Sequence, residues 1–234
     1  MEDSLRNGDI SGLFVGRRQE MAILEAALND AMSGRGRLVM LVGEPGVGKT
    51  RTARELASYA ENLCAQVIWG RCYEDEGTPP YWPWVQTIRS YVELIDAEQL
   101  ILAMGSGAGD IAEIVPEIRS KLPDLKPASS QDSETARFRL FDSIIGFLKK
   151  AGQRRALMLV LDDLHWADRA SLLLLEHLTR ELGESRLLLV GCYRDTDISR
   201  QHTLAETLAQ VSREPVFRRQ SLRGLEQDGF GGIR

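Results

Sequence analysis

The stretch RLVMLVGEPGVGKTRTARELASYAENL, residues 37–63, joins two different hydrophobic patterns through a glycine-rich turn. Residues 37–43 form an unbroken apolar run, which is typical of a strand that is buried on both faces. After the turn, small and apolar side chains recur at helical spacing, at Ala53, Leu56, Ala57 and Ala60. This spacing predicts an amphipathic helix. The sequence therefore predicts a strand, a turn and a helix in direct succession.

The turn itself, GEPGVGKT at 43–50, has the spacing Gly, four residues, then Gly-Lys-Thr, which is the pattern of a phosphate-binding loop. Backbone N–H groups of such a loop point at phosphate oxygens, and glycine permits the tight, positive-φ backbone that this requires. The N-terminal end of the following helix adds partial positive charge. An ordinary strand–turn–helix connection is the alternative, which glycines alone would allow. The candidate nucleotide-binding residues are Gly43, Glu44, Pro45, Gly46, Val47, Gly48, Lys49, Thr50 and Arg51.

Other apolar runs and helical patterns alternate along the rest of the chain. Apolar runs predict strands at 156–161 and 186–193, and 66–71 and 216–222 are candidates for further short strands. Helical spacing predicts helices at 17–32, 80–95, 134–151, 169–182 and 203–211, and short helices joined by a mobile loop over 105–133. Strands that are apolar throughout and alternate with helices predict an α/β fold, in which helices cover both faces of a parallel sheet.

Two adjacent aspartates follow one of these strands, in LMLVLDDLHWAD at 157–168. Like charges at the end of a buried strand are costly unless a cation lies there. In phosphate-loop enzymes such an acid holds Mg²⁺ together with the loop hydroxyl, so Asp162 and Thr50 are the candidate metal ligands. Successive strand residues face opposite ways, so Asp163 points elsewhere and is the candidate for polarising an attacking water. The alternative for Asp163 is a turn or helix-capping residue.

The remaining aromatic and polar residues of interest have structural interpretations. We expect His165 to pack beside Trp166 rather than to act as an acid or base, and Asp168 to cap the following helix. The aromatic cluster PPYWPW at 79–84 could stack on a base or a partner, but core packing over the sheet is the preferred interpretation.

The composition excludes several classes of protein. The chain has 234 residues and a net charge of −5, and nothing in its charge pattern suggests nucleic-acid binding. No apolar run approaches the length that spans a bilayer, and the polar N-terminus is not a secretory signal. Its three cysteines are widely spaced, which favours free thiols. We therefore expect a cytoplasmic protein without membrane contact.

The series of motifs resembles the AAA-type ATPase domains at the front of large bacterial signalling proteins, such as LuxR-type regulators and adenylate-cyclase-linked proteins. These origin-recognition-like domains belong to the STAND class of signal-transduction ATPases. The matching stretches are FVGRRQEM at 14–21, GEPGVGKT at 43–50, GRCYEDEGTPPYWPW at 70–84, ARFRLFDSI at 136–144, VLDDLHWAD at 160–168 and VGCYRDTD at 190–197. They occur in the order that this family shows.

The resemblance implies features that spacing alone does not show. The fold would be a three-layer sandwich around a parallel five-stranded sheet with strand order 5-1-4-3-2. Val15, Gly16 and Arg17 would lie near the adenine and ribose, and Arg194 would be a sensor arginine that contacts the γ-phosphate with Lys49. The alternative for Arg194 is a surface salt bridge with Asp195 or Asp197.

The resemblance also implies domain boundaries and partners. Residues 1–13 would be a flexible N-terminus and residues 14–222 the ATPase domain. Residues 223–234 would begin a helical lid that is missing here, or form a disordered tail. The expected ligands are ATP or ADP with Mg²⁺, and the expected protein partners are the domain itself or C-terminal output domains of a longer parent.

Two functions from different classes follow. The first is a switch domain that binds ATP and hydrolyses it slowly, with Lys49, Asp163 and Arg194 as the catalytic residues. The second is a module that holds nucleotide without hydrolysis and binds other proteins in the resulting conformation. A GTPase is disfavoured because the sequence has no Asn-Lys-x-Asp or Thr-Lys-x-Asp stretch for guanine. A sugar or nucleoside kinase fits the paired aspartates and the downstream arginine less well.

Overall fold

A computed structural model describes residues 16–74, 77–128, 133–196 and 203–224 of the chain. Five strands lie within these ranges: β1 (Arg37–Val42), β2 (Gln66–Arg71), β3 (Leu157–Asp162), β4 (Leu187–Tyr193) and β5 (Phe217–Ser221). They form one parallel sheet in the order β2-β3-β4-β1-β5. The strand order 5-1-4-3-2 is therefore confirmed, with β4 between the loop strand and the aspartate strand.

Helices connect consecutive strands, as a parallel sheet requires. Their bounds are α1 (Arg18–Met32), α2 (Lys49–Asn62), α3 (Trp82–Leu94), α4 (Ala97–Met104), α5 (Ala108–Ile111), α6 (Glu117–Lys121), α7 (Ser133–Arg154), α8 (Arg169–Arg180) and α9 (Thr203–Val211). Within the ranges the structure describes, no helix is both long and apolar enough to cross a membrane. The helix α4 was not predicted, although Asp96 caps it by accepting a hydrogen bond from the Gln99 N–H group at 2.8 Å.

The buried side chains form two hydrophobic clusters, one on each face of the sheet. Alternate residues of β1 illustrate the division, because Val39 and Leu41 pack with α1 and α2 whereas Leu38 and Met40 pack with the other helices. The three-layer sandwich is thereby confirmed. Burial on both faces also explains why the sequences of β1, β3 and β4 are largely apolar, whereas the edge strand β5 is mostly exposed and polar.

The aromatic cluster at the start of α3 contributes to the larger of these two cores. Trp84 is fully buried, and its indole Nε1–H group donates to the Ser171 carbonyl oxygen at 3.0 Å. Core packing is therefore confirmed for this tryptophan. This bond also links α3 to α8, the helix that follows the two aspartates. It therefore holds these two helices together beside the site.

Candidate nucleotide-binding site

The glycine-rich loop connects the end of β1 to the start of α2. Gly46 and Gly48 have φ angles of 76° and 98°, in the region that favours glycine. Gly43 has no room for a side chain, since a Cβ atom there would lie 2.4 Å from the Leu222 carbonyl oxygen. The predicted order of a strand, a loop and a helix is confirmed. The helix starts at Lys49, so its first N–H groups face the loop.

Lys49 lies at the base of this loop with only 8% of its surface exposed. Its Nζ atom donates to the carbonyl oxygens of Gly43 and Glu44, each at 2.9 Å. Burial lowers the pKa of this ammonium group; the positive charge of Arg194 acts in the same direction, and Asp163 opposes it. Lys49, Asp163 and Arg194 are distant in sequence, but in the structure the charges of Asp163 and Arg194 lie close enough to act on Lys49.

Thr50 and Asp162, the two predicted metal ligands, are in direct contact between the loop and the aspartate strand. The Thr50 hydroxyl lies 3.1 Å and 3.0 Å from the two carboxylate oxygens of Asp162. Asp162 is only 4% exposed, and the Asp163 N–H group donates to it at 3.2 Å. A buried carboxylate beside a hydroxyl offers the hard oxygen ligands that Mg²⁺ prefers. These two residues therefore fit a magnesium ion.

Cys192 also borders this pair, and the sequence analysis did not assign it to the site. Residue 192 lies on β4, opposite Leu41 of the loop strand in the sheet register. Burial raises the pKa of its thiol well above the ordinary value, and contact with Asp162 acts in the same direction. The thiol is therefore a neutral hydrogen-bonding neighbour of Asp162. The position of Cys192 beside Asp162 becomes apparent only from the pairing of β4 with both β1 and β3.

Asp163 leaves the strand direction. Its φ angle is 57°, and its carbonyl oxygen accepts a turn hydrogen bond from the Trp166 N–H group at 2.9 Å. Its carboxylate pairs with the Arg71 guanidinium at 3.3 Å. Asp162 and Asp163 therefore have different surroundings, as predicted, but the reason is the left-handed backbone of Asp163 rather than the alternation of side chains along a regular strand. Asp163 is a turn residue by its backbone, while its side chain remains beside the site.

Arg71 is the second residue that the sequence analysis did not single out. It ends β2 and pairs in register with Asp162 on β3, which brings its side chain to the two aspartates. The side chain of Gln86 on α3 holds the backbone of Arg71, donating to its carbonyl oxygen at 2.8 Å. A groove of about 530 Å³ opens beside these residues, and its lining includes Thr50, Arg54, Trp69, Arg71, Gln86 and Asp162.

A family model described as an AAA ATPase domain matches residues 13–190, about three quarters of the chain. This match covers the glycine-rich loop, the aspartate strand and most of β4. The chain belongs to the AAA ATPase domain family. The strand–loop–helix geometry and the Thr50–Asp162 contact both lie within the matched residues.

Similarity to individual proteins is weaker. A protein of Rhizobium meliloti strain 1021 named "Uncharacterized protein R02095" is 20% identical over 195 residues, which are 80% of this chain and 19% of that protein. The chain therefore spans about a fifth of the length of this relative. Cdc6p from Pyrobaculum aerophilum has a TM-score of 0.50 and 17% identity, with 92% of this chain and 47% of that chain covered. AMPPCP-bound DnaA from Aquifex aeolicus has a TM-score of 0.42 and 14% identity, with 89% and 47% covered.

Two further predicted site residues of this AAA ATPase domain, Arg17 and Arg194, lie near the loop. Arg194 follows β4 directly, on the edge of the sheet where the loop and Asp162 also lie. Arg17 is 5% exposed and donates from Nη2 to the Val47 carbonyl oxygen at 2.5 Å, and Gly16 precedes it at the start of the described chain. Val15 and Asp197 lie outside the described residues.

The two other residues near the aspartates have the structural positions that the sequence predicted. His165 is 3% exposed, and its ring centroid lies 5.1 Å from that of Trp166. Asp168 caps α8, because its side chain accepts from the Ser171 N–H group at 3.0 Å. The packing of His165 beside Trp166 and the cap by Asp168 are confirmed, and a structural rather than acid–base role for His165 stays a prediction. Arg51, the last of the predicted loop residues, is exposed on α2.

Proposed function

We propose that this AAA ATPase domain binds ATP with Mg²⁺ at the phosphate loop and hydrolyses it slowly, as the switch of a signalling protein of the STAND class. The observation that carries the proposal is the convergence of Lys49, the Thr50–Asp162 pair and Arg194 at one edge of the sheet. In open α/β sheets this edge, at the carboxyl ends of the strands, is where ligands bind. The series of family-like motifs supports the STAND assignment.

Each residue has a distinct role in the proposed reaction. The loop N–H groups and Lys49 would hold the β- and γ-phosphates, and Thr50 and Asp162 would hold Mg²⁺. When bound, the ion supplies positive charge that neutralises the phosphates. Arg194 would contact the γ-phosphate as a sensor. Because its guanidinium can form two parallel hydrogen bonds, it suits phosphate oxygens.

Asp163 is the proposed group that orients the attacking water. Its carboxylate is 21% exposed, so water reaches it, and it accepts from the Arg71 guanidinium at 3.3 Å. Arg71 occupies the Oδ2 atom of this carboxylate, which is then less available to orient the attacking water. The Arg71–Asp163 pair therefore supports slow rather than rapid turnover.

The same pair favours the second candidate function, a module that holds nucleotide without hydrolysis. Its partners would be a second copy of the domain or output domains of a longer protein.

We place the ATPase domain at residues 14–222, with residues 223–234 as the start of a lid or a tail, and the protein in the cytoplasm. Support for a longer parent comes from the length of the Rhizobium meliloti relative, of which this chain matches 19%.

Turnover measurements separate the two functions. Release of phosphate from ATP and from GTP is measured with Mg²⁺ for the wild type, for Asp163→Asn and for the exposed control Asp142→Asn. We expect slow, ATP-selective turnover that falls roughly 100-fold in Asp163→Asn, as removal of a general base typically causes, with ATP affinity retained. Tight binding of ATP by the wild type without any turnover would instead establish the non-hydrolysing module.

A further inference from the structure

One buried guanidinium joins three separate segments of the chain next to the phosphate loop. The Arg17 Nη2 atom donates to the carbonyl oxygens of Val47 at 2.5 Å and Arg223 at 3.0 Å, and Nη1 lies 3.3 Å from the Glu20 carboxylate. Only 5% of Arg17 is exposed. The contacts connect the residue before α1, the middle of the loop and the segment after β5.

The Val47 carbonyl is important because it belongs to the same peptide unit as the Gly48 N–H group. In a planar trans peptide these two groups point in opposite directions. A donor that holds the Val47 oxygen on the outside of the loop therefore keeps the Gly48 N–H group directed to the inside. Gly48, at φ 98°, is a glycine and so gives this peptide unusual freedom to rotate. Arg17 restrains the loop where the backbone itself is least restrained.

The segment after β5 is in contact with the base of the same loop. The Leu222 N–H group donates to the Val42 carbonyl oxygen at 2.7 Å, and the Leu222 carbonyl oxygen lies close enough to Gly43 to exclude any side chain there. The Arg223 carbonyl oxygen then meets Arg17. Residues 222 and 223 thus touch the start of the loop directly and its middle through the guanidinium.

We propose that Arg17 is a positioning residue that fixes the Val47–Gly48 peptide for phosphate binding and couples it to residues 222–224. This inference rests on the proposed function, since it assigns phosphate to the loop. The same Nη2 atom of Arg17 donates to the Val47 and the Arg223 carbonyl oxygens. A movement of the loop on phosphate binding would therefore alter the contact of Arg17 with the segment after β5. Arginine suits this role because its planar fork reaches several acceptors at once, whereas a lysine ammonium is a single point of charge.

The test compares Arg17→Lys with two further variants. Arg18→Lys makes the same change at an exposed neighbour and serves as the matched control. Glu20→Gln weakens the ion pair of Arg17 but keeps the guanidinium, so it perturbs the contact without risk to the fold. Hydrogen exchange is measured without nucleotide, and binding of ATP and of tripolyphosphate, which has no base or ribose, is measured by calorimetry.

We expect Arg17→Lys to bind both ATP and tripolyphosphate about tenfold more weakly, the effect of one lost charge-assisted hydrogen bond. Amide exchange should accelerate in peptides that cover 46–50 and 217–224, while β3 is unchanged. Glu20→Gln should show a smaller effect in the same direction, and Arg18→Lys none.

Three results would overturn the proposal. A loss of ATP affinity with unchanged tripolyphosphate affinity would show that Arg17 contacts the base or ribose. Faster exchange in the loop alone would remove the coupling to residues 222–224, and faster exchange throughout the sheet would show a general structural role. If the wild type binds neither ligand, the proposed function fails, while the exchange measurements still decide whether Arg17 links the two segments.

Discussion

Asp162→Asn is expected to change metal-dependent binding and stability in opposite directions. Asparagine keeps the shape of the side chain and an oxygen that can accept from the Asp163 N–H group. Its amide can donate to the Thr50 hydroxyl, which lies 3.0 Å and 3.1 Å from the present oxygens. What the substitution removes is the negative charge. The effect of the charge alone can therefore be measured at this position.

The magnitudes depend on the surroundings of the carboxylate. Loss of one charged ligand group should cost about 1.5–3 kcal/mol, which is roughly 10- to 150-fold in affinity for ATP with Mg²⁺. Without Mg²⁺ the affinity should change by less than about threefold, since the remaining partners are retained. Asp162 is 4% exposed, and the hydrogen bonds described for it come from a hydroxyl, an N–H group and a thiol, all neutral. The substitution replaces a buried charge that has only neutral hydrogen-bonding partners by a neutral amide. It should therefore stabilise the ligand-free protein by about 1 kcal/mol and raise Tm by about 2–4 °C.

Calorimetry with and without Mg²⁺ and thermal unfolding in a chelator give the two measurements. Asp142→Asn, the same change at an exposed position of α7, is the control and should alter neither quantity. Equal losses of affinity with and without Mg²⁺ would refute metal coordination by Asp162. A Tm lowered by several degrees in the chelator would show that the charge stabilises the fold without any metal.

Three further outcomes are expected. Lys49→Ala should abolish ATP binding, because it removes the ammonium group at the base of the loop; unchanged affinity in calorimetry would contradict the phosphate-loop assignment. Arg194→Ala should weaken ATP binding roughly 10- to 100-fold and leave ADP binding unchanged, and a parallel fall in both affinities, with circular dichroism confirming the fold, would make Arg194 structural. Gly70→Ala should destabilise the fold by about 1–3 kcal/mol in urea unfolding, since its Cβ atom would lie 2.3 Å from the Pro83 carbonyl oxygen; an unchanged midpoint would show that α3 shifts freely away from β2.

Most of the secondary structure was predictable because the three central strands, β1, β3 and β4, are buried on both faces. Such strands produce continuous apolar runs that local sequence shows directly, as at 37–43 and 157–161. The order of the strands was not available from these patterns. It came from the family resemblance, because a local run carries no information on which strand lies beside which. The position of β4 between β1 and β3 depends on how all the strands of the sheet pair with one another.

The residues missed around the site depend on this strand order in the same way. Arg71 and Cys192 lie on the strands that flank β3, and the sheet register brings each of them to the aspartates. In the sequence, Arg71 is one arginine within a family-like motif, and Cys192 one of three dispersed cysteines. Residues 43–50 and 162–163 were identifiable because their chemistry is contained in contiguous motifs, whereas these two acquire a role only through pairing between strands.

The adjacent aspartates show how the fold gives different roles to two identical residues. Asp163 has a fixed cationic partner in Arg71, at 3.3 Å, whereas the groups that bond to Asp162 are neutral. The charge of Asp163 is therefore balanced within the chain, and the more deeply buried charge of Asp162 is left for an external cation. If the metal were shared equally by both carboxylates, it would have to displace Arg71 from Asp163. A metal held by Asp162 and Thr50 requires no such displacement, which supports the proposal that Asp162 would hold the ion and Asp163 would orient water.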